Sequence, residues 1–309
     1  MTMEMKDFYK QFCKEGFDEN GILNEFQVTA ADDFNFAYDV IDKIAELEPN
    51  RRAMVWTNEA GEEKIFSFRD ISEYSTKAAN LFAAHGIKKG DTVMLILKRN
   101  YQFWFAILGL HKLGAITIPA TNLLTTKDIV YRFQAASVKA IVCTCQCNVH
   151  QYIDEAEKKL GIEVIKFSAM GHFDNYINFD EEIEKQPAVM ERVPVTTTDG
   201  MLMYFTSGTT GQPKMVLHGY DYPLAHIITA VHWHHVDPDG LHLTLAETGW
   251  GKAVWGKLYG QWLAAAGIFV YDFDKFVPTD VLHMIEKYRI TTFCAPPTIF
   301  RFFIKEGIA

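Results

Sequence analysis

The strongest constraint on the fold is a regular alternation of apolar strand-like and helix-like segments along most of the chain. The strand-like run TVMLIL (92–97) precedes a nearly all-apolar helical run, YQFWFAILGLHKLG, and the strand-like runs AITIP and KAIVCT follow with another helical pattern between them. Strands separated by helices of this length pair in parallel through right-handed crossovers, which buries both faces of the sheet. The sequence therefore predicts an α/β fold with doubly wound, mostly parallel sheets.

The alternation is interrupted at PAVMERVPVTTTD (187–199) and then restarts. Two prolines and three threonines in that segment indicate a joint between lobes, and 309 residues are enough for about two domains. We therefore predict a first α/β lobe over residues 1–190, with an N-terminal extension, and a second α/β lobe over residues 191–309. In the second lobe we predict the strands MLMYF, LHLTLA, GIFVYD and TTFCAP.

Charge and hydropathy exclude several classes of protein. The formal net charge of -9 argues against a general nucleic-acid binder, whose phosphate contacts need a basic face. The start of the chain, MTMEMKDFYKQF, does not resemble a secretory signal. The longest apolar stretch, Trp262 to Tyr271, is shorter than the roughly 20 residues that span a bilayer. Five cysteines without an export signal favour a reducing compartment, so the expected location is cytoplasmic.

Two groups of residues have the composition of metal ligands. Cys143, Cys145 and Cys147 alternate, so a continuous strand would place all three on one face, where a metal or redox site is conceivable. The favoured interpretation is buried free cysteines, because no second ligand cluster accompanies them. The run HWHH (232–235) is likewise interpreted as packed or solvated, because adjacent histidines point in different directions. No metal-ligating residue is predicted.

The segment YFTSGTTGQPK (204–214) is the most specific functional signal. A buried strand stops there, and six consecutive residues are Thr, Ser or Gly, followed closely by a proline and Lys214. Such a loop, placed before a helix that we predict over 222–231, presents backbone N–H groups and hydroxyls to an anion, and the lysine adds a positive charge. It lacks the Gly-Lys-Ser/Thr ending of a Walker A loop and the GxGxxG of a dinucleotide fold. The alternative is a flexible surface loop of small residues.

TSGTTGQPK resembles the phosphate-binding signature of the adenylate-forming (AMP-binding) superfamily, which includes acyl-CoA synthetases, luciferases and peptide-synthetase adenylation domains. GIKKGDTVMLIL, HKLGAITIPA and AETGW are similar to other segments of that superfamily, in the same order. ETGWGKAVWG and FCAPPTIFR resemble the medium-chain and branched-chain acyl-CoA synthetases in particular. The resemblance extends from about Phe34 to Ala309, and it implies the two α/β lobes of the synthetase N-terminal domain.

The resemblance also implies a reaction in two steps. ATP and a carboxylic acid give an acyl-adenylate and pyrophosphate, and coenzyme A then forms the acyl-CoA thioester, with Mg²⁺ assisting at the phosphates. It implies catalytic roles for Lys214 and Thr206. The nucleotide-binding residues that it implies are Thr206, Ser207, Gly208, Thr209, Thr210, Gly211, Gln212, Pro213 and Lys214.

The tail of the acid needs an apolar pocket, for which five residues are candidates. Apart from Trp233, they lie at or just after the ends of two strands whose carboxyl ends share one edge of the predicted sheet, where open α/β sheets bind ligands. Tryptophans packed in the core, and a solvated lysine, are the alternatives. The candidates are Trp233, Trp250, Lys252, Trp255 and Cys294.

Part of the family pattern is missing from the sequence. No Y-G-x-T-E motif is present, and no C-terminal lobe with an adenylation lysine follows Ala309. We therefore expect the N-terminal part of a longer enzyme, inactive alone, with an exposed sheet edge that favours self-association into a homo-oligomer. Two alternatives remain: an adenylating enzyme that passes its acyl group to a carrier protein, and a non-catalytic nucleotide-binding fragment.

Overall fold

The structure is a computed structural model that describes residues 4–206 and 211–307. Its strands are β1 (Cys13–Phe17), β2 (Leu23–Val28), β3 (Arg52–Asn58), β4 (Glu63–Ser67), β5 (Thr92–Ile96), β6 (Ile116–Pro119), β7 (Ala140–Thr144), β8 (Ile165–Ala169), β9 (Ile177–Asn178), β10 (Gly200–Thr206), β11 (Lys214–Gly219), β12 (Leu241–Thr244), β13 (Gly267–Asp272) and β14 (Thr292–Cys294).

The α-helices are α1 (Lys43–Leu47), α2 (Phe68–Ala84), α3 (Gln102–Leu113), α4 (Thr126–Ala136), α5 (Val149–Leu160), α6 (Phe179–Glu184), α7 (Gly251–Gly256), α8 (Tyr259–Leu263), α9 (Pro278–Lys287) and α10 (Pro297–Lys305). Short 3₁₀ helices span Met5–Gln11 and Tyr222–Ala225, and π-helical turns span Ala37–Asp42 and Ile228–Trp233. Of the helices that the structure describes, none has both the length and the apolar character that crossing a membrane requires.

Two mostly parallel sheets organise the described residues, as the alternating pattern predicts. The first sheet has the strand order β11-β10-β6-β5-β7-β8-β9, and the second has the order β14-β12-β13-β3-β4. Each carries one antiparallel strand at an edge, β11 in the first and β4 in the second. A separate two-stranded sheet, β1-β2, forms in the N-terminal extension, where we predicted no strands.

Helices cover both faces of each sheet and create a layered core. One cluster of buried residues joins the facing sides of the two sheets through α2 and α3, with Trp104 and Trp56 fully buried. A second cluster packs α4 and α5 against the outer face of the first sheet, and a third packs α9 and α10 against the outer face of the second. The α/β prediction is therefore confirmed in its layers and its strand directions.

Membership of the two sheets does not follow the predicted division at residues 190 and 191. The hairpin β3-β4 precedes this point but belongs to the second sheet, where β3 pairs in parallel with β13. Strands β10 and β11 follow it but extend the first sheet, where Leu202 of β10 lies opposite Thr117 of β6. A buried strand pairs with whichever sheet edge can satisfy its backbone groups, and distance along the chain does not decide this. That residues 1–190 and 191–309 form separate domains remains a prediction.

Two element ends are set by local contacts. Helix α2 begins after Ser67, which is the N-cap, and the Ser67 hydroxyl accepts from the Asp70 N–H at 3.2 Å. Asp70 in turn accepts from the Ser67 N–H at 2.7 Å, which is a capping box. Strand β7 ends at Thr144, so only Cys143 lies on it, and Cys145 and Cys147 occupy the following turn.

Candidate functional site

The predicted phosphate loop connects two antiparallel strands and is not followed directly by a helix, contrary to expectation. Thr206, the last residue of β10, lies opposite Lys214, the first residue of β11. The next helical segment begins only at Tyr222. A helix dipole therefore cannot assist this loop directly, and an anion there would depend on loop N–H groups, hydroxyls and the lysine.

The described parts of the loop lie mostly at the surface. Gly211 has a φ of +89°, a conformation that is unstrained for glycine but costly for residues with a Cβ. Thr206, Gln212 and Lys214 are exposed, and Pro213 is half-buried. The predicted binding residues Ser207, Gly208, Thr209 and Thr210 lie outside the described residues.

Helix α4 anchors both ends of the loop, which the sequence gave no reason to expect. The Tyr131 hydroxyl donates to the Pro213 carbonyl at 2.7 Å. The Tyr131 ring meets Phe205 of β10 edge-to-face, with centroids 6.0 Å apart. The Arg132 guanidinium lies 4.9 Å from the centroid of the Phe205 ring, on the same strand end. One helix thus fixes the residue before Thr206 and the residue before Lys214.

The turn after β12 carries the ETGW motif and packs closely against the first sheet. Thr248 donates its backbone N–H to the Lys98 carbonyl at 3.0 Å, and the Glu247 carboxylate accepts from the Gly249 N–H at 3.0 Å. A Cβ on Gly249 would lie 2.2 Å from the Thr121 nitrogen, so only glycine permits this approach. This contact joins the carboxyl end of β12 to the segment that follows β6.

Buried charges lie behind the ETGW turn, where sequence reasoning did not anticipate them. Lys257 is 1% exposed, and burial together with the Arg99 charge lowers its pKa to about 7, although Glu247 and Asp272 oppose this. Burial also raises the pKa of the Glu247 and Asp272 carboxyls above the usual range. The lysine and the two acids are therefore shifted towards their neutral forms.

Aromatic and imidazole rings form a group, which we call the ring stack, beside α7 and α8. The Trp255 ring lies nearly parallel to those of His226, at a centroid distance of 6.4 Å, and His234, at 6.0 Å. Trp233 stacks on Trp255 at 6.4 Å, and Tyr259 lies 6.3 Å from His226. The sequence suggested the tryptophans, but it held no signal for His226, because its neighbours in space come from distant segments.

The five predicted pocket residues are only partly brought together. Trp233, Lys252 and Trp255 adjoin one another, and the Lys252 ammonium lies 5.6 Å from a Trp255 ring centroid. Cys294 ends β14 opposite Thr244, whose hydroxyl donates to the Gly256 carbonyl at 2.7 Å. Trp250 stands at the start of α7 and is 60% exposed, so it is not a core residue.

The HWHH run has three different environments. His232 contacts the Glu15 carboxylate at 3.0 Å, His234 is half-buried in the ring stack, and His235 is exposed. The run is thus packed or solvated, as interpreted from the sequence, although the contacts of His234 were missed. Over residues 4–206 and 211–307, no three His, Cys, Asp or Glu side chains are grouped so as to hold a metal ion.

Comparison with known proteins extends these observations. The profile of the family described as AMP-binding enzyme matches residues 41–309. The human mitochondrial acyl-coenzyme A synthetase ACSM3 is 30% identical over 304 residues, which are 92% of this chain and 50% of that protein. The rat mitochondrial acyl-coenzyme A synthetase ACSM5 is 33% identical over 285 residues, which are 89% of this chain and 48% of that protein. The chain therefore spans about half the length of the curated relatives it matches.

Solved structures agree in fold. The crystal structure of an acyl-CoA synthetase from Brucella canis superposes with a TM-score of 0.80 at 24% identity, covering 90% of this chain and 51% of that one. An anthranilate CoA ligase in complex with anthranoyl-AMP gives a TM-score of 0.75 at 21% identity, covering 85% and 50%. The predicted cytoplasmic location is contradicted, because the curated relatives are named as mitochondrial proteins.

Proposed function

Because this chain belongs to the AMP-binding enzyme family, we propose that the full-length protein joins a carboxylic acid to coenzyme A through an acyl-adenylate. The observation that carries the proposal is the anchored loop that starts at the carboxyl end of β10, which pairs in parallel with β6, and that ends at Lys214, opposite Thr206. In open α/β sheets this is the edge at which ligands bind.

In the first proposed step, a carboxylate oxygen of the acid attacks the α-phosphorus of ATP, and the bond to pyrophosphate breaks. Negative charge builds on the phosphate oxygens as this happens. Lys214, the loop N–H groups and the Thr206 hydroxyl would hold that charge in place. Tyr131 and Arg132 act indirectly, because they fix the two ends of the loop relative to the first sheet.

In the second proposed step, the sulfur of coenzyme A attacks the acyl carbon and AMP leaves. ATP and coenzyme A are therefore proposed as co-substrates. Mg²⁺ commonly neutralises charge in such transfers, but the described residues offer no cluster of ligands for it, and we assign it to none of them. The names of the relatives also support a mitochondrial location, which imaging of a fluorescent fusion would test.

The acid tail is proposed to lie against the ring stack, towards Trp233, Lys252 and Trp255, with Cys294 at the neighbouring strand end. The two regions are joined by the ETGW turn, which contacts the segments that follow β5 and β6. A substrate could thus reach from the phosphate loop to the rings along the carboxyl edges of the two sheets.

ATP–pyrophosphate exchange tests the proposal directly. The full-length protein, given ATP, Mg²⁺ and a panel of acids, should exchange labelled pyrophosphate, and adding coenzyme A should yield AMP and a thioester. Exchange without thioester formation would favour transfer to a carrier protein. Nucleotide binding without exchange for any acid would favour a non-catalytic role.

A further inference from the structure

Five buried polar atoms without hydrogen-bond partners lie around the ring stack. They are the Tyr204 hydroxyl oxygen, both ring nitrogens of His226, Nε2 of His234 and Oε1 of Gln261, and further such atoms lie elsewhere in the described residues, among them those of Arg99 and Asp272. A buried polar atom that loses its water and gains no partner is costly, so native proteins leave few of them. Five in one neighbourhood indicate that something polar completes the site.

These atoms belong to one connected group of side chains. Tyr204 lies next to His218, with ring centroids 6.4 Å apart, and His218 contacts Tyr222 at 4.1 Å. Tyr222 meets His226 edge-to-face at 4.8 Å. The Gln261 amide lies 3.5 Å from Nδ1 of His234, which stacks on Trp255. The group is continuous with the proposed position of the acid tail.

His226 is the member with the most unused hydrogen-bonding capacity. Burial, with a smaller contribution from His218, lowers its pKa to about 4, so the ring is neutral near pH 7. A neutral imidazole has one N–H donor and one nitrogen acceptor. Both are unmet here, and the rings of Tyr259 and Trp255 lie nearly parallel to the imidazole, with centroids 6.3 and 6.4 Å away.

We propose that the acid accepted by this site is an aromatic carboxylic acid bearing a hydroxyl or amino group, and that His226 recognises this group. This inference rests on the proposed function. A hydroxyl can donate to one imidazole nitrogen or accept from the other, whereas a plain alkyl tail would leave both unmet. The planar faces of the stack favour a flat tail.

The test compares acids of equal size that differ only in this group. Hydroxybenzoate and methylbenzoate, substituted at the same ring position, are compared by kcat/KM in pyrophosphate exchange, with hexanoate as an alkyl probe. Wild-type protein should prefer the hydroxy acid of at least one isomer pair by about tenfold or more, as expected when a buried donor or acceptor loses its partner. His226→Phe keeps a ring but removes both nitrogens, and it should bring the ratio of kcat/KM for the hydroxy acid over the methyl acid close to one.

Controls separate failure of this inference from failure of the proposed function. His85→Phe, at the end of α2, should leave the ranking unchanged. Suppose that the acids are turned over but the hydroxy acid is not preferred, or that His226→Phe leaves the preference intact. Either result would overturn the inference and leave the synthetase proposal standing. If no acid is turned over, calorimetric titration of each acid into the protein decides. A hydroxy-acid preference in binding that is lost in His226→Phe supports the inference, and its absence overturns it.

Discussion

The proposed phosphate loop and the ring stack are built on opposite principles. The loop joins β10 to β11, and its described ends, Thr206 and Lys214, are exposed. It consists of small residues and one charge, contiguous in the sequence. The ring stack extends from the fully buried Tyr259 to Trp233, which is 68% exposed, and it gathers side chains from segments about 30 residues apart, between His226 and Tyr259.

This difference suggests a division of roles. A loop with backbone N–H donors and a lysine can hold an anion whatever acid is bound, whereas packed rings discriminate between acids by shape and by unmet hydrogen bonds. Changes in the loop should therefore affect all acids alike, and changes in the stack should alter the ranking of acids. The following predictions are ordered by expected size.

Lys214→Ala should have the largest effect. Removing a group that stabilises transition-state charge typically costs about 10²–10³ in rate, so exchange in the full-length protein should fall by that factor for every acid. The matched control is Lys159→Ala, an exposed lysine of α5, which should retain full activity. Near-normal exchange in Lys214→Ala, with an unchanged fold, would remove the lysine from the phosphate site.

Trp255→Ala should change selectivity more than rate. Opening space beside His226 and His234 should favour longer or bulkier acids, because each methylene in an apolar pocket is worth about 1–3 kcal/mol. The check is kcat/KM for a series of straight and branched acids. An identical ranking before and after the substitution would return Trp255 to a purely structural role.

Gly249→Ala should test the contact that joins the two regions. The added Cβ would meet the Thr121 nitrogen at 2.2 Å, and overpacking of this kind costs about 1–3 kcal/mol in the free energy of unfolding. Urea denaturation measures this change in the free energy of unfolding. Gly251→Ala is the matched control, because its nearest neighbour beyond the local chain, in the Tyr204 ring, is 4.0 Å away. Equal stability of the two variants would contradict the close approach.

Lys257→Met should expose the pH dependence of the buried charges behind the turn. The folded pKa of Lys257, about 7, is below its ordinary value of 10.5, so between these pH values the unfolded chain holds a proton that the folded chain lacks. Wild-type stability relative to the variant should therefore rise with pH across this window, by up to about 1.4 kcal/mol per pH unit. Below pH 7 the penalty of burying the charge is fully present. The control is the exposed Lys275→Met, and parallel stability curves for wild type and Lys257→Met would refute the shift.

Sequence reasoning succeeded where the signal was local. The alternation from β5 to β7 was predicted because each strand and helix carries its own apolar period, and a phosphate role could be proposed for the loop because its residues are consecutive. It failed for β11, since KMVLHG is short and exposed at four of its six positions and has no buried strand pattern.

Non-local pairings could not be predicted. Nothing in the hairpin β3-β4 indicates which sheet it joins, because the partner strand β13 lies more than 200 residues later. His226, Lys257 and Tyr131 were missed for the same reason. An isolated histidine, lysine or tyrosine gives no sign of its surroundings until packing places it against a ring, a buried acid or the carbonyl of a loop.

The most direct test of the two-region account is a double-mutant cycle. Pyrophosphate exchange is measured in the full-length protein for wild type, Lys214→Ala, Trp255→Ala and the double variant, each with a compact and a bulky acid. The account predicts that Lys214→Ala lowers the exchange rate with both acids by the same factor, and that Trp255→Ala changes the ratio of the two rates. In the double variant, the two effects should add in free energy within about 0.5 kcal/mol. The account would be contradicted if the exchange rate lost in Lys214→Ala depended on the acid. It would also be contradicted if Trp255→Ala changed the exchange rate by the same factor for both acids.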